Sequence, residues 1–286
     1  MGYRRGMSPH GEPFLPLSMS PQNRSLPDPS PSEKPGFLPV VHLGRMPYAP
    51  AYERQSLEVD RVIAQREASA TTPAPNPPGL ILLVEHDPVI TVTRRGAAAA
   101  HVVATAAELA HAGVAVQETD RGGDVTYHGP GQLVAYPILD LNALGLRLHD
   151  YMRLLEGAII RTCADFGVAT HRDADATGVW TGSAREGEPD SRQAQAFGAK
   201  IAALGVRVRR WVSMHGLALN VTTNLDHFRL IVPCGLARPV TSLHAELGAS
   251  CPAMNKVQQR LIHHLDGAAR AAFDAAAARR ATGAEH

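Results

Sequence analysis

The chain has 286 residues, of which 44% are hydrophobic, and its formal net charge at pH 7 is +1. This length and apolar content suit a globular protein with one large domain or two small ones, and the balanced charge indicates no nucleic-acid partner. No apolar run approaches the roughly 18 residues of a membrane span, and prolines interrupt the N-terminal region where a signal peptide would need an apolar core, so we expect a cytoplasmic protein.

The first 39 residues are rich in proline, with nine in this stretch. Such a segment buries too little apolar surface to offset the entropy lost on ordering, so we predict a disordered tail over residues 1–39. We predict a single folded domain over residues 40–275 and a flexible tail over residues 276–286. The polar run 183–195 lies between two predicted strands and is interpreted as a surface insertion.

Apolar periodicity divides the predicted domain into strands and helices. In chain order, the predicted elements are a strand at 40–43, a helix at 51–68, strands at 80–85 and 89–93, a helix at 104–112 capped by Gly113, a strand at 114–118, a glycine-rich loop at 121–132, a strand at 133–139, a helix at 148–166, short strands at 168–170, 178–181, 196–204, 206–212 and 216–221, and a helix at 257–278. Strands dominate the middle of the chain, and helices are not regularly interleaved with them. This order predicts an α+β fold with a mixed, largely antiparallel sheet flanked by helices.

The chain has three widely spaced cysteines, Cys163, Cys234 and Cys251. An odd number of cysteines with wide spacing is atypical of a disulfide framework and fits a reducing compartment. No CxxC pair or paired His/Cys spacing predicts a zinc site. We therefore expect no metal.

The segment 121–132, with the sequence RGGDVTYHGPGQ, carries the densest set of chemical groups in the chain. Its glycines allow positive φ angles and a close approach of the backbone to a ligand. A tight turn whose polar side chains face water explains the spacing equally well. The segment matches neither GxGxxG, because a proline and a strand follow, nor a P-loop, because the GK[ST] ending is missing. Nucleotide binding of those two kinds is therefore disfavoured.

Cys234 lies between Pro233 and Gly235, in a predicted turn that could expose its sulfur. Spacing alone nevertheless favours a buried core cysteine at this position. Cys163 falls on the apolar face of a predicted helix and fits the core, whereas Cys251 lies in a polar loop without an evident partner.

Lys200 is the only lysine between Lys34 and Lys256, and it lies within the mainly apolar run 196–202. A surface position on an edge strand would explain it. The functional alternative is a partly desolvated amine, because desolvation lowers the pKa of an amine and suits it to proton transfer. A nearby cation would also stabilise a cysteine thiolate, but spacing does not show that Lys200 meets Cys234.

Four segments together resemble the octanoyltransferases of lipoic acid synthesis, the lipoyl(octanoyl) transferase family. They are residues 121–140, 198–202 (GAKIA), 215–220 (HGLALN) and 233–235 (PCG), and the segments 42–44 and 48–49 resemble the start of the family. The resemblance runs from about residue 40 to about residue 265, and RGGxxTYHGPGQ is highly specific. The departures are the tail 1–39, the insertion 183–195 and the Ala/Arg-rich C-terminal stretch, and none of them touches these segments.

The resemblance implies a fold shared with the catalytic domains of lipoate and biotin protein ligases. It also implies that an octanoyl group moves onto Cys234 as a thioester, with Lys200 as the acid/base partner and no cofactor. The residues that it places around the acyl group are Arg121, Gly122, Gly123, Asp124, Val125, Thr126, Tyr127, His128, Ala203, Leu204, Gly205, Gly216, Leu217 and Ala218.

The same resemblance implies two protein partners. The donor is octanoyl-acyl carrier protein, and the acceptors are lipoyl domains of 2-oxoacid dehydrogenase complexes and the glycine cleavage H protein. We expect a monomer with no nucleic-acid or membrane partner. Arg94, Arg95 and the run 207–211 could form a basic surface for acidic partners, although an ordinary solvated strand face explains them equally well.

Two other functions compete with this one. An ATP-dependent lipoate or octanoate protein ligase would share the fold, but it needs a phosphate-binding lysine and no nucleophilic cysteine. Cys234 and the GPGQ ending of segment 121–132 argue against it. A non-catalytic module that binds an acyl group or a partner is the third alternative, and it would form no covalent adduct.

Overall fold

The structure is a computed structural model, and it describes residues 36–69, 77–94, 98–174, 176–182, 198–232 and 238–283. The strands are β1 Val40–Met46, β2 Gly79–His86, β3 Val89–Thr93, β4 Ala115–Thr119, β5 Val125–His128, β6 Gln132–Leu139, β7 Thr170–Arg172, β8 Val179–Thr181, β9 Lys200–Arg209 and β10 Val212–Asn220. The helices are α1 Tyr48–Ser69, α2 Ala106–Ala112, α3 Leu148–Asp165, α4 Leu243–Leu247 and α5 Met254–Ala281, and short 3-10 helices span Ala98–His101, Leu225–Leu230 and Gly248–Ser250.

Two sheets organise the described residues. Seven of their strands form the large sheet, in the order β1-β2-β6-β10-β9-β8-β7, and three form a small sheet in the order β4-β3-β5. In the large sheet β1 and β2 are parallel and the other neighbouring strands are antiparallel. The predicted α+β fold with a mixed, largely antiparallel sheet is therefore confirmed.

Helices cover both faces of the large sheet, and β2 shows how the sequence achieves this. Ile81 and Leu83 pack into the core that includes residues of α3 and α5, whereas Leu82 and Val84 pack into the core that includes residues of α1. Successive side chains of a strand point to opposite faces. A strand buried on both faces is therefore a continuous apolar run, as the sequence shows here.

The helix α2 has its ends set by local signals. The Thr105 side chain accepts a hydrogen bond from the Glu108 N–H, and the Glu108 carboxylate accepts one from the Thr105 N–H. This reciprocal cap starts the helix at Ala106, two residues later than predicted. Gly113 adopts a φ of 64° and closes it, as predicted.

The structure describes a few residues of each predicted tail, and these residues belong to the fold. Leu38 is buried, and the N–H groups of Phe37 and Leu38 donate to the Asp266 carboxylate, so residues 36–39 belong to the fold. The helix α5 continues to Ala281 with Ala276 buried, so residues 276–281 are helical rather than a flexible tail. Residues 1–35, the interpreted insertion at 183–195 and the final three residues lie outside the described ranges.

Segment 121–132 and the hairpin formed by β9 and β10 differ from the secondary structure predicted for them. The predicted loop contains the strand β5. The two strands predicted on either side of Gly205 are one continuous strand, β9. A Cβ atom at Gly205 would lie 2.6 Å from the Gly122 carbonyl oxygen, so this glycine marks a close backbone approach and not a turn. The actual turn is Arg210–Trp211, where both residues have positive φ.

Candidate active site

A cavity of about 310 Å³ lies along the β9–β10 hairpin, where β5 of the small sheet meets the large sheet. This volume is at the lower end of the range for small-molecule sites. Thirteen of the residues predicted for the site line it: Lys200, Arg121, Gly123, Asp124, Val125, Thr126, His128, Ala203, Leu204, Gly205, Gly216, Leu217 and Ala218. The fold thus brings together segments that are about 100 residues apart in the sequence.

Two predicted residues lie outside the cavity lining. Tyr127 is fully buried in the core of the small sheet, where its hydroxyl lies 2.7 Å from His227 Nδ1. Gly122 donates its N–H to the Val206 carbonyl oxygen at 2.9 Å. The structure therefore gives Tyr127 a packing role and Gly122 a role in fastening segment 121–132 to β9.

At one end of the cavity, the cationic side chains of Lys200 and Arg238 both lie over the indole ring of Trp180. The Lys200 Nζ lies 4.7 Å from the Trp180 ring centroid, and the Arg238 guanidinium carbon lies 4.8 Å from it. Both cations gain attraction from the negative face of the ring, and Arg238 also forms an ion pair with Asp173. We call Lys200, Trp180 and Arg238 the lysine end.

The backbone around Lys200 is fixed on both sides. Its N–H donates to the Pro239 carbonyl oxygen at 2.9 Å, and its carbonyl oxygen accepts from the Thr241 N–H at 3.0 Å. The segment that begins at Arg238 is therefore paired with the start of β9, and Arg238 and Val240 line the cavity beside Lys200.

Cys234 lies in residues 233–237, outside the described ranges. The residues before it are held by the Val232 N–H, which donates to the His101 carbonyl oxygen at 2.8 Å. The other two cysteines lie away from the cavity lining. Cys163 is fully buried in the core, as predicted, and burial raises the pKa of its thiol to about 12. Burial also raises the pKa of the half-buried Cys251.

Arg121 stands at the other end of the cavity, and its guanidinium binds protein oxygens. It donates to the Thr91 carbonyl oxygen at 3.1 Å and to the carbonyl oxygens of Gly122 and Asp124 at 3.0 and 3.1 Å. These bonds tie segment 121–132 to β3. The structure thus shows Arg121 as a clamp for the loop as well as a residue that lines the cavity.

His215 lies at the same end and was not among the predicted site residues. It is buried with a φ of 62°, and its Nε2 lies 2.9 Å from Asp120 Oδ1. The Tyr52 hydroxyl also donates to Asp120 at 2.9 Å, and Arg207 forms an ion pair with it. Burial alone would raise the pKa of Asp120, but these hydrogen bonds and charges lower it to about 2. We call these residues the histidine end: Arg121, Gly205, His215, Tyr48 and the two imidazoles that contact Tyr48, His86 and His128.

The imidazoles at this end are neutral near pH 7. Burial lowers the pKa of His128 to about 3 and that of His86 to about 4, and it also lowers the pKa of His215. His128 Nδ1 lies 2.7 Å from Gln132 Oε1, and His86 Nε2 lies 2.7 Å from the Tyr136 hydroxyl. The histidine end therefore combines buried, uncharged imidazoles, each with a hydrogen-bond partner, with the guanidinium of Arg121.

Further residues line the cavity that the site prediction did not include. They are Tyr48, Gln132, Val134, Tyr136, Ala176, Thr177, Trp180, His215, Asn220, Phe228, Arg238 and Val240. Some stand in segments that carry the family resemblance, such as Gln132, His215 and Asn220, so the sequence held a signal for them. Trp180 and Arg238 have none, because only sheet pairing brings them to Lys200.

The described ranges offer neither a metal site nor a membrane-spanning helix. Their histidine, cysteine and acidic side chains form no group of three placed to hold a metal ion. No helix in these ranges combines the length and the apolar character needed to cross a membrane.

Comparison with known proteins places the chain in a family. Residues 54–266 match the family model described as "Lipoyl protein ligase A/B catalytic domain". The octanoyltransferase of Koribacter versatilis (strain Ellin345) is 45% identical over 217 residues, which are 75% of this chain and 77% of the relative. That of Acidobacterium capsulatum is 46% identical over 221 residues, 73% of this chain and 80% of the relative.

Solved structures support the fold. A lipoate-protein ligase A bound with ATP has a TM-score of 0.54 at 15% identity, covering 83% of this chain and 94% of that one. A putative lipoate protein ligase from T. acidophilum has a TM-score of 0.52 at 16% identity, covering 83% and 95%. The sequence relatives, the family match and the shared fold agree, and the chain therefore belongs to the octanoyltransferases within the lipoyl protein ligase A/B catalytic domain family.

Proposed function

We propose that this enzyme takes an octanoyl group from octanoyl-acyl carrier protein onto the sulfur of Cys234 and passes it to a lysine ε-amine of a lipoyl domain. Family membership supports the octanoyl transfer in lipoate biosynthesis. The donor, the acceptor and the thioester intermediate are the proposal. The observation that carries it is the cavity itself, whose lysine end is formed by Lys200 together with Arg238, four residues after Cys234.

The covalent chain supports Cys234 as the nucleophile of this cavity. In the sequence Cys234 follows Val232 by two residues and precedes Arg238 by four. Phe228, before this segment, and Arg238, after it, both line the cavity. The segment that contains Cys234 is thus flanked on both sides by residues that line the cavity with Lys200, which supports the pairing of these two residues in the proposal.

Lys200 is suited to carry the protons of both half-reactions. Its amine takes the Cys234 proton, and the thiolate attacks the thioester carbonyl of the donor; the carbonyl–sulfur bond to the carrier breaks, and the released thiolate takes the proton back. In the second half-reaction the acceptor amine attacks the octanoyl–Cys234 thioester and gives its proton to Lys200, while the Cys234 thiolate leaves. Exchange of one thioester for another is nearly isoenergetic and the final amide is more stable, so ATP is not required. A positioned base contributes about 10²–10⁴-fold to such a rate.

The acceptors that fit this chemistry are the lipoyl domains of 2-oxoacid dehydrogenase complexes and the glycine cleavage H protein. The apolar lining from Val125, Val134, Leu204 and Leu217 suits the hydrocarbon part of the acyl group. Cytoplasmic, monomeric action is part of the same proposal.

Intact mass measurement after mixing with octanoyl-acyl carrier protein tests the intermediate. We expect a gain of one octanoyl group in the wild type and in Cys251→Ser, the matched control, and none in Cys234→Ser. An adduct that persists in Cys234→Ser would refute the assignment, and an unchanged wild-type mass would favour a non-catalytic module. Transfer from free octanoate that depends on ATP would favour the ligase alternative.

A further inference from the structure

We propose that a groove between α3 and α5 is the docking surface for the acyl carrier protein, whose acidic side chains bind the arginines of the groove. This inference rests on the proposed function, because it names the place where the donor of that reaction binds. The groove is separate from the acyl cavity, and we call it the arginine groove. It is defined by Arg153, Gly157 and Arg161 of α3, Arg172 of β7, and Gly267 and Ala268 of α5.

The arginine groove has a volume of about 580 Å³, and small residues of the two helices form its floor. Two long side chains lie over this floor at Gly157. The Arg161 Nη1 and the Arg172 Nη2 each lie 3.3 Å from the position that a Cβ atom on Gly157 would take. The two guanidiniums therefore converge on one point, with space beside them for the side chains of a partner.

The charges in the arginine groove do not balance. Arg153 and Arg172 both donate to Oε2 of the buried Glu156, at 2.7 and 3.1 Å. Arg161 is exposed and forms no ion pair with a residue of the described ranges. Asp150 is the one acidic side chain among the described residues that line the groove. Three guanidiniums against two carboxylates leave a positive charge, and the fork of a guanidinium matches the carboxylates of an acidic partner.

The arginine groove and the acyl cavity lie on opposite faces of the large sheet. Arg172 pairs with Val179, which packs into the core that includes residues of α3. The next residue, Trp180, faces the other way and lines the cavity. The connection between β7 and β8 joins the two faces, because it begins after Arg172 and its residues Ala176 and Thr177 line the cavity.

The distance between the groove and the lysine end favours the donor over the acceptor as the occupant. In the sheet order β8 lies between β7 and β9, so two strand spacings, about 10 Å, separate the backbone of Arg172 from that of β9 near Lys200. A lysine side chain reaches only about 6 Å from its Cα atom, so the acceptor lysine needs a lipoyl domain bound at the mouth of the cavity itself. An acyl carrier protein holds its thioester on a longer, flexible prosthetic arm, which can pass around the edge strand β7.

Substitutions of Arg161 test the docking surface, because this exposed residue has no ion pair in the described ranges whose loss could disturb the fold. Arg161→Gln removes the charge, and Arg161→Glu reverses it. Arg209→Gln and Arg209→Glu are the matched controls, since Arg209 lies on β9 outside the groove. The measurements are kcat and KM for octanoyl-acyl carrier protein and for octanoyl-N-acetylcysteamine, a small thioester that has the reacting group without the acidic protein.

We expect the KM for octanoyl-acyl carrier protein to rise about threefold in Arg161→Gln and about tenfold in Arg161→Glu, with kcat unchanged. The rise should shrink at high salt, which screens the charges. The KM values for the small thioester and for an apo lipoyl domain should stay at those of the wild type, and the Arg209 variants should leave all three KM values unchanged. A disturbed fold would impair transfer from the small thioester as well.

The outcomes separate this inference from the proposed function. A wild type that transfers octanoyl groups from neither donor refutes the proposed function. A wild type that uses octanoyl-acyl carrier protein, with an unchanged KM for it in both Arg161 variants, refutes only the docking surface. A rise in the KM for the lipoyl domain alone would assign the groove to the acceptor and overturn the proposal. If Arg161→Glu does not fold, Arg161→Gln decides alone.

Discussion

The two ends of the cavity are built in different ways. The lysine end stands at the start of β9, where Lys200 and Arg238 both lie over the Trp180 ring and the backbone of Lys200 is hydrogen-bonded to the segment after residue 237. The histidine end stands against β3 and α1, where Arg121 and His215 have hydrogen bonds to buried protein groups. The first end has cations held over a ring, and the second has uncharged imidazoles and the Arg121 guanidinium held by hydrogen bonds.

This difference indicates how one cavity can serve two purposes. An end that handles protons needs a group that can gain and lose charge, and in the proposed function Lys200 is that group. The histidine end instead has its side chains fixed by hydrogen bonds to buried protein groups, which suits a wall of the cavity better than a proton carrier. The predictions below test each half of this contrast.

The largest effect is expected at the lysine end. Replacing Lys200 with alanine should lower kcat by about 10²–10⁴-fold, because the acid/base group is lost, while the thermal midpoint changes little. Steady-state transfer assays on Lys200→Ala and on Lys256→Ala check this, with the second as control because Lys256 lies on α5 away from the cavity lining. A wild-type kcat in Lys200→Ala would contradict the assignment of proton transfer to the lysine end.

Acid should act on the histidine end with a smaller effect. The pKa of His86 is lowered to about 4 and that of His128 to about 3, so the unfolded chain takes up protons below about pH 6.5 where the native state does not. Stability contributed by these neutral rings is therefore present at pH 7 and is lost as the pH falls. Between pH 7 and pH 5 each should lower the free energy of unfolding by about 2 kcal/mol.

Urea denaturation at the two pH values measures this loss. A His86→Gln variant should show a dependence shallower by about 2 kcal/mol over the same interval, because one of the two imidazoles is absent. The exposed His149 provides the control, and His149→Gln should leave the slope unchanged. Equal slopes in all three proteins would mean that the rings of the histidine end are not held neutral.

The smallest effect is expected beyond the histidine end, on the outer part of the hairpin. Arg207, Arg209 and Arg210 form ion pairs with Asp120, Asp60 and Glu67, respectively. Their charges are thus matched within the chain, and we expect Arg209→Gln to change the free energy of unfolding by less than about 0.5 kcal/mol. The KM for octanoyl-acyl carrier protein should also be unchanged at low and at high salt. A marked rise in KM would support the basic surface suggested by the sequence.

The sequence predicts the fold class because its signals are local. Continuous apolar runs predict β2 and β6, which are buried on both faces, and helical periodicity predicts α3. The prediction was wrong where glycine was read as a break: Gly205 continues β9, since close packing against the Gly122 carbonyl group excludes a side chain there. A sequence does not show whether a glycine is needed for a turn or for space.

The site is predicted less completely, and for a different reason. Segment 121–132 and Gly216 are dense or specific enough to be noticed in the sequence. Trp180 and Arg238 reach Lys200 only through pairing between β8, β9 and the segment after residue 237. Such long-range pairing depends on the whole sheet, so no local sequence pattern predicts it.

The turn at Arg210–Trp211 has a consequence for how the chain can vary among relatives. It is a two-residue connection, and both residues have positive φ. Because side chains alternate along a strand, one inserted or deleted residue in β9 or β10 would swap every later position between core and cavity. We therefore expect homologues to conserve the spacing of fifteen residues between Lys200 and His215 even where the residues between them differ.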